Sequence, residues 1–239
     1  MNAVRIVAAA MAVAAALATS ACVRTDDGVS VAAPPGTSVE EEAVTAAPTR
    51  SEADPTTSAT GTPGAPGILE TSRAPVPAGT VTCTPDPRPP AGFVAAIDDA
   101  TAPQIVLAVP EGWTSTEGTD AVAGTLAGPK GMTATITIAP TDLGADAAFR
   151  RYADEVMAKS SISSVSVLPG ELCDYSGQKL MGAWSNSPQN AVSFYDRLAH
   201  VWTNTADYLV VVHVEAPAGV DELDAASDVL TGDFEVRIP

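Results

Sequence analysis

Lysine is nearly absent from this 239-residue chain: Lys130, Lys159 and Lys179 are the only three. Acidic residues number 29 against 12 basic ones, a formal net charge of −17. A surface of that sign repels phosphate backbones and anionic head groups, which excludes nucleic acid and electrostatic membrane binding. Aromatics are only 5% of the chain, so an apolar core must come mainly from Val, Ile and Leu. Chemistry-bearing motifs are missing as well. There is no C-x-x-C, no G-x-S-x-G elbow and no G-x-G-x-x-G, and the lone GPKG (128–131) reads as a turn. No catalytic residue set and no cofactor is expected.

The first 22 residues, MNAVRIVAAAMAVAAALATSAC, form a three-part secretory pattern. Arg5 stands in a short leading region, an uncharged run covers 6–18, and small residues precede Cys22. The run is shorter than the roughly 20 residues of a membrane span, and no basic cluster follows it. Thr19-Ser20-Ala21-Cys22 resembles a lipobox, at which bacterial processing acylates the cysteine, although Thr19 stands where an aliphatic residue is usual. The rival reading is simple cleavage after Ala18 or Ala21. Parity bears on the choice: of three cysteines, acylation of Cys22 leaves Cys83 and Cys173 as a pair in an oxidising compartment. That bridge would close a loop of about 90 residues, with an entropic contribution on the order of 4.5 kcal/mol; two unpaired buried thiols are the alternative.

The expected organisation is therefore a signal peptide over 1–21, a lipidated Cys22 with a disordered tether over 22–79, and one domain over 80–239. The tether is rich in Pro, Ala, Thr and Ser, carries eight acidic and three basic residues, and has no aromatic. It cannot bury enough apolar surface to offset its ordering, and would reach about 40 Å. Its Thr/Ser/Pro content also suits O-glycosylation.

Alternation in QIVLAVP (104–110) places Ile105, Leu107 and Val109 on one strand face. A hairpin is expected to turn at 128–131, with Ala134, Ile136 and Ile138 inward and Thr133, Thr135 and Thr137 outward. Phe149, Tyr152, Ala153, Val156 and Met157 recur at helical spacing, predicting a helix over about 145–159 capped by Asp142 or Asp146, with a Glu155–Lys159 pair. Short strands follow in SVSVLPGELC and QKLMGAWSN, then long ones over 191–202 and 208–215 joined by TNTAD. A second helix over 221–230, capped by Asp221, and a last strand carrying Phe234, Val236 and Ile238 complete an α+β antiparallel sheet packed with helices.

With these elements in place, residues 103–239 resemble the actinobacterial LpqN/LpqT family of lipoproteins, whose domain is of the Mog1/PsbP type. The resemblance rests on VLAVPEGW (106–113), FRRYADEV (149–156), YLVVVHVEAP (208–217) and DVLTGDFEVRIP (228–239). It implies an envelope protein on the extracytoplasmic face of the cell membrane, an adaptor rather than an enzyme, and brings no catalytic motif; a hydrolytic enzyme is the remotest alternative.

His200 and His213 lie on opposite arms of the long hairpin, with His213 expected across from Asp196 or Arg197 as a structural polar pair. No third residue stands at a metal-ligand spacing, and no metal site is expected. Asp98-Asp99 and Asp221-Glu222-Asp224 read as a solvated turn and a helix start, with weak calcium binding as the alternative. Trp113, Trp184 and Trp202 each end a strand beside small polar residues. They are either core edge or the anchors of a binding surface, with Trp184 and Trp202 first. Expected partners are the membrane through Cys22 and an envelope protein, or else a lipid held between sheet and helices.

Overall fold

The computed structural model describes residues 65–87, 92–187 and 189–239. The signal peptide, Cys22 and most of the tether lie outside the described residues.

Two antiparallel sheets face each other. The smaller has the order β1 (Val81–Cys83), β11 (Glu235–Arg237), β3 (Gln104–Ala108) and β2 (Gly92–Ala95). The larger runs β4 (Thr114–Glu117), β5 (Val122–Ala127), β6 (Thr133–Thr141), β10 (Asp207–Pro217), β9 (Ala191–Trp202), β8 (Ser176–Ser185) and β7 (Ile162–Pro169). Helix α1 (Ala145–Ala158) packs on the outer face of the large sheet, and α2 (Leu223–Leu230) joins the small sheet on the inner face. The architecture is α+β, in three layers.

Period-two alternation decides which side chains go where. Ala134, Ile136 and Ile138 of β6 and Val210, Val212 and Val214 of β10 meet Ile105, Leu107, Phe234, Val236 and Ile238 in the inner core. Leu198, Phe194, Leu209 and Val211 point the other way, onto Phe149 and Val156 of α1. Each such burial contributes about 1.5–3 kcal/mol. Strand β10 is thus covered on both faces, which explains its unbroken apolar run. The reversal between β5 and β6 falls at Pro129–Gly131, where Lys130 and Gly131 adopt positive φ.

Several sequence expectations shift at element ends. Gly144 caps α1 without a side-chain bond, so neither Asp142 nor Asp146 is the cap; Asp146 instead binds Arg150 one turn on. Glu155 pairs backwards with Arg151 at 3.6 Å, which releases Lys159. Helix α2 starts at Leu223 after Glu222, not at Asp221, and Thr231 rather than Gly232 is its C-cap residue.

The domain also begins earlier than composition suggests. Residues 65–79, assigned above to the tether, lie against the folded body. Gly177 N–H donates to the Gly67 carbonyl at 2.9 Å, Gln178 Nε2 to that of Pro66 at 2.8 Å, and Leu69 N–H to Ser176 Oγ at 2.9 Å. Asn204 exchanges two hydrogen bonds with the Val76 backbone. Ile68 and Val76 pack at the margins of the outer and inner cores. The segment is held by polar groups supplied from more than 100 residues away, a signal that local composition does not carry.

Cys83 and Cys173 form a disulfide with Cα atoms 5.7 Å apart. It ties β1, at the edge of the small sheet, to the turn before β8.

Candidate functional site: a groove beside helix α1

Helix α1 covers only part of the outer face of the large sheet. Beside it runs an open groove of about 430 Å³. Its floor is Thr135, Thr137 and Ala139 of β6 with Leu209, Val211, His213 and Glu215 of β10. Its wall is Arg151, Tyr152, Glu155 and Lys159, which project from one side of α1. Because β6 and β10 pair Thr137 with Val211 and Thr135 with His213, the floor grades from apolar to polar along its length.

At the polar end, the side chain of Asp196 is fully buried on β9, directly opposite His213. His213 Nδ1 meets Asp196 Oδ1 at 2.5 Å and Nε2 meets Glu215 Oε2 at 3.2 Å. Burial pushes the imidazole pKa down, but its hydrogen bonds to Asp196 and Glu215 and the charge of Asp196 outweigh that and raise it above the ordinary 6.5. Its hydrogen bond to His213 holds Glu215 below the usual carboxylate range, against the effect of burial. Tyr152 faces Asp196 from α1; burial first, then the charge and hydrogen bonding of Asp196, push its hydroxyl far above the ordinary tyrosine value, so it stays a donor.

A stack of rings completes the site. Trp184 lies 4.7 Å from Phe194 and 5.6 Å from His213, nearly parallel to the latter at 10°. The ammonium of Lys159 sits over the Trp184 ring at 4.7 Å. Close approach at Gly182 makes room for Phe194: a Cβ there would stand 2.1 Å from the Ser164 carbonyl oxygen and 2.8 Å from the ring.

Of the sequence candidates, the structure places His213 in the lining of this groove, with Trp184 stacked on it from outside that lining. Trp202 is elsewhere, at the end of β9, with the Arg73 guanidinium 5.7 Å from its ring centre. It lines a smaller cavity of about 160 Å³ with His200, Tyr175 and Ser176. Trp113 packs at the margin of the inner core against Gly128. His200 is buried, with Nε2 donating to the Leu143 carbonyl at 3.0 Å. Asp99 accepts from Thr101 and from the Tyr208 hydroxyl, Glu222 pairs with Lys130, and Asp224 accepts from the Tyr195 hydroxyl. Among the described residues no group of three or more His, Cys, Asp or Glu is placed to hold a metal ion. None of the described helices is long and apolar enough to cross a membrane.

Sequence reasoning placed Tyr152 on the packing face of the helix and Lys159 in a pair with Glu155, and read neither of them, nor Glu215, as a site residue. The signals were a 151–155–159 row on one helix and the i,i+2 relation of His213 to Glu215, which shares a strand face.

The linked groups set a pH dependence. The stabilisation that His213 gains from its carboxylates is fully present below pH 6.5 and is lost as pH rises through its raised pKa. That of Glu215 is present above 4.5 and lost as pH falls through its lowered pKa. Melting temperature is therefore expected to be highest in mildly acidic buffer and to decline on both sides. In a His213→Gln variant the decline on the alkaline side should disappear, and its persistence would assign it to other groups.

No model of a known protein family matches this chain, and no curated protein matches it. Among solved structures, it is similar to LpqN of Mycobacterium tuberculosis, a protein involved in cell envelope biogenesis. The identity is 16% and the TM-score 0.48, over 62% of this chain and 91% of that one. A point variant of the protein Mog1 aligns at 12% identity and a TM-score of 0.37, over 58% and 84% respectively. These are likenesses of chain path.

Proposed function

We propose that this protein is an exported lipoprotein of the LpqN/LpqT kind, anchored through Cys22, whose Mog1/PsbP-type domain docks an envelope protein in the groove beside α1. The observation that carries this reading is the groove itself. Its half-exposed floor is Thr135, Thr137 and Ala139, backed by the edges of the buried Leu209 and Val211, and charges of both signs flank it. Shape and composition of that kind suit recognition of a partner with an apolar anchor and polar flanks.

The state of His213 supports binding over hydrolysis. Both its ring nitrogens face carboxylate oxygens, so both donate, and no lone pair is left to abstract a proton. The groove is an open surface feature, which favours docking over the sequestration of a lipid.

The test is a Thr137→Trp variant, which fills the groove from an outward-facing position and leaves the core untouched. Full-length protein cross-linked in its own membranes should capture a specific envelope protein, with Thr137→Trp losing at least tenfold in yield and Trp202→Ala losing none. Equal capture by Thr137→Trp would remove the groove from the proposal. A stoichiometric lipid in the organic extract, lost in the same variant, would replace the protein partner with a lipid.

A further inference from the structure

The two edges of the large sheet are defended differently. Strand β4 is four residues long and ends in Glu117. Strand β7 is eight residues long, pairs with β8 without a bulge, and reads ISSVSVLP, with no charge at all. Ile162, Val167 and Leu168 are exposed on it, Ile162 at 67%. No described segment pairs with its outer side. Edge strands are ordinarily kept from associating by charge, bulges, shortness or a covering element, and among the described residues β7 has none of these along its length.

The ladder fixes which groups are free. Gly170 N–H, just past the strand, donates to the Gly177 carbonyl at 3.0 Å. Alternation from that bond gives the even-numbered residues to β8 and turns the backbone N–H and C=O of Ser163, Val165 and Val167 outward. Pro169 falls in the same outward set, has no N–H, and ends the row.

We propose that β7 is a homodimer edge, at which two copies of this chain pair antiparallel about a two-fold axis through Val165 and join two seven-stranded sheets into one. The register is self-complementary. It sets Val165 against the partner's Val165, Ser164 against the partner's Ser166, Ser163 against the partner's Val167, and the exposed Ile162 against the partner's exposed Leu168. It also brings the end that follows Lys159, whose ammonium sits over Trp184, to the end of the partner's strand that precedes the exposed Glu171. A second copy is as acidic as the first, at −17, so copies meet with least repulsion where the surface carries no charge. An interface built on one eight-residue strand pair is small and belongs to the weak, reversible class.

Sedimentation of the full-length protein over a wide concentration range tests the state, and paired cysteine variants test the register. Wild type should show reversible dimerisation. Val167→Pro removes an outward N–H without touching the β8 ladder, and should sediment as a monomer with unchanged melting temperature. In Val165→Cys the two cysteines sit about 5.5 Å apart across the axis, within disulfide reach, and a covalent dimer should form on oxidation. Ser163→Cys lies roughly 13 Å from its own counterpart in this register, and should stay monomeric. A wild type monomeric at every concentration overturns the proposal. So does equal cross-linking of the two cysteine variants, or coupling of Val165→Cys to a different protein. Should Val167→Pro fail to fold, the contrast between the two cysteine variants still decides.

Discussion

Replacing His213 with leucine should destabilise the domain by about 3–5 kcal/mol below pH 6.5, the usual cost of breaking a buried ion pair from one side. The Asp196 side chain has no exposed surface and His213 retains 14%. With the imidazole gone, the buried carboxylate keeps the Tyr152 hydroxyl as a neighbour but loses its charged donor. In a domain of ordinary stability, roughly 5–15 kcal/mol, that is a large share of the total. Urea unfolding of wild type and variant reads the difference directly.

The double variant Asp196→Leu/His213→Leu should recover most of that loss, because a desolvated pair replaced by apolar groups of similar volume is often neutral. Leu180 and Leu198 already border the position, so the new side chains enter an apolar setting. A single variant costing less than about 1 kcal/mol would place the pair in the class of exposed salt bridges. A double variant no better than the single would mean that packing, not charge, holds the site. The double variant also separates stability from recognition. If the groove needs its fixed charges to bind, a stable Asp196→Leu/His213→Leu protein should fold and still lose its partner.

How much of this was legible beforehand follows from the range of each signal. Strand faces on β3, β6 and β11 obey a two-residue period, which any short window of sequence displays, and Ile105, Ile136 and Val236 lie where that period puts them. The pairing of His213 with Asp196 was nearly legible, since a hairpin loop of known length fixes register to within one residue. Helix caps were less so. Asp142 and Asp146 both have the chemistry of a cap, but the bond goes to whichever side chain the entering backbone aims, and at Gly144 none is aimed. The groove was illegible because it is made by what α1 fails to cover, a property of the angle between helix and sheet. Residues 65–79 were misassigned for a related reason. Ile68 and Val76 are too sparse to signal a core by themselves, and the groups that fix them, on Ser176, Gln178 and Asn204, are remote in sequence.

Removing the disulfide should be the second large effect. The Cys83→Ala/Cys173→Ala double variant is expected to lose about 4.5 kcal/mol by the entropy of a 90-residue loop, and to melt roughly 10–18 °C lower for a domain of this size. Among the described residues, nothing else ties the two sheets together as firmly at this corner. Strand β1 is three residues long and pairs only with β11, itself three residues long. Beyond the bridge, the link from β1 to the turn before β8 is the hydrogen bond between Thr82 and Tyr175 at 2.6 Å. That asymmetry gives the experiment a second readout. If the bridge acts on the unfolded chain, amide exchange should speed up throughout the protein by a common factor. If it acts only by pinning β1, exchange should rise in residues 79–83 and 235–238 while the β9–β10 ladder keeps its protection. The entropic account predicts the first pattern, because the closed loop contains β2 to β7, two strands of the small sheet and four of the large one. An unchanged melting temperature with local fraying would show that β10 and its neighbours hold the fold without the covalent link.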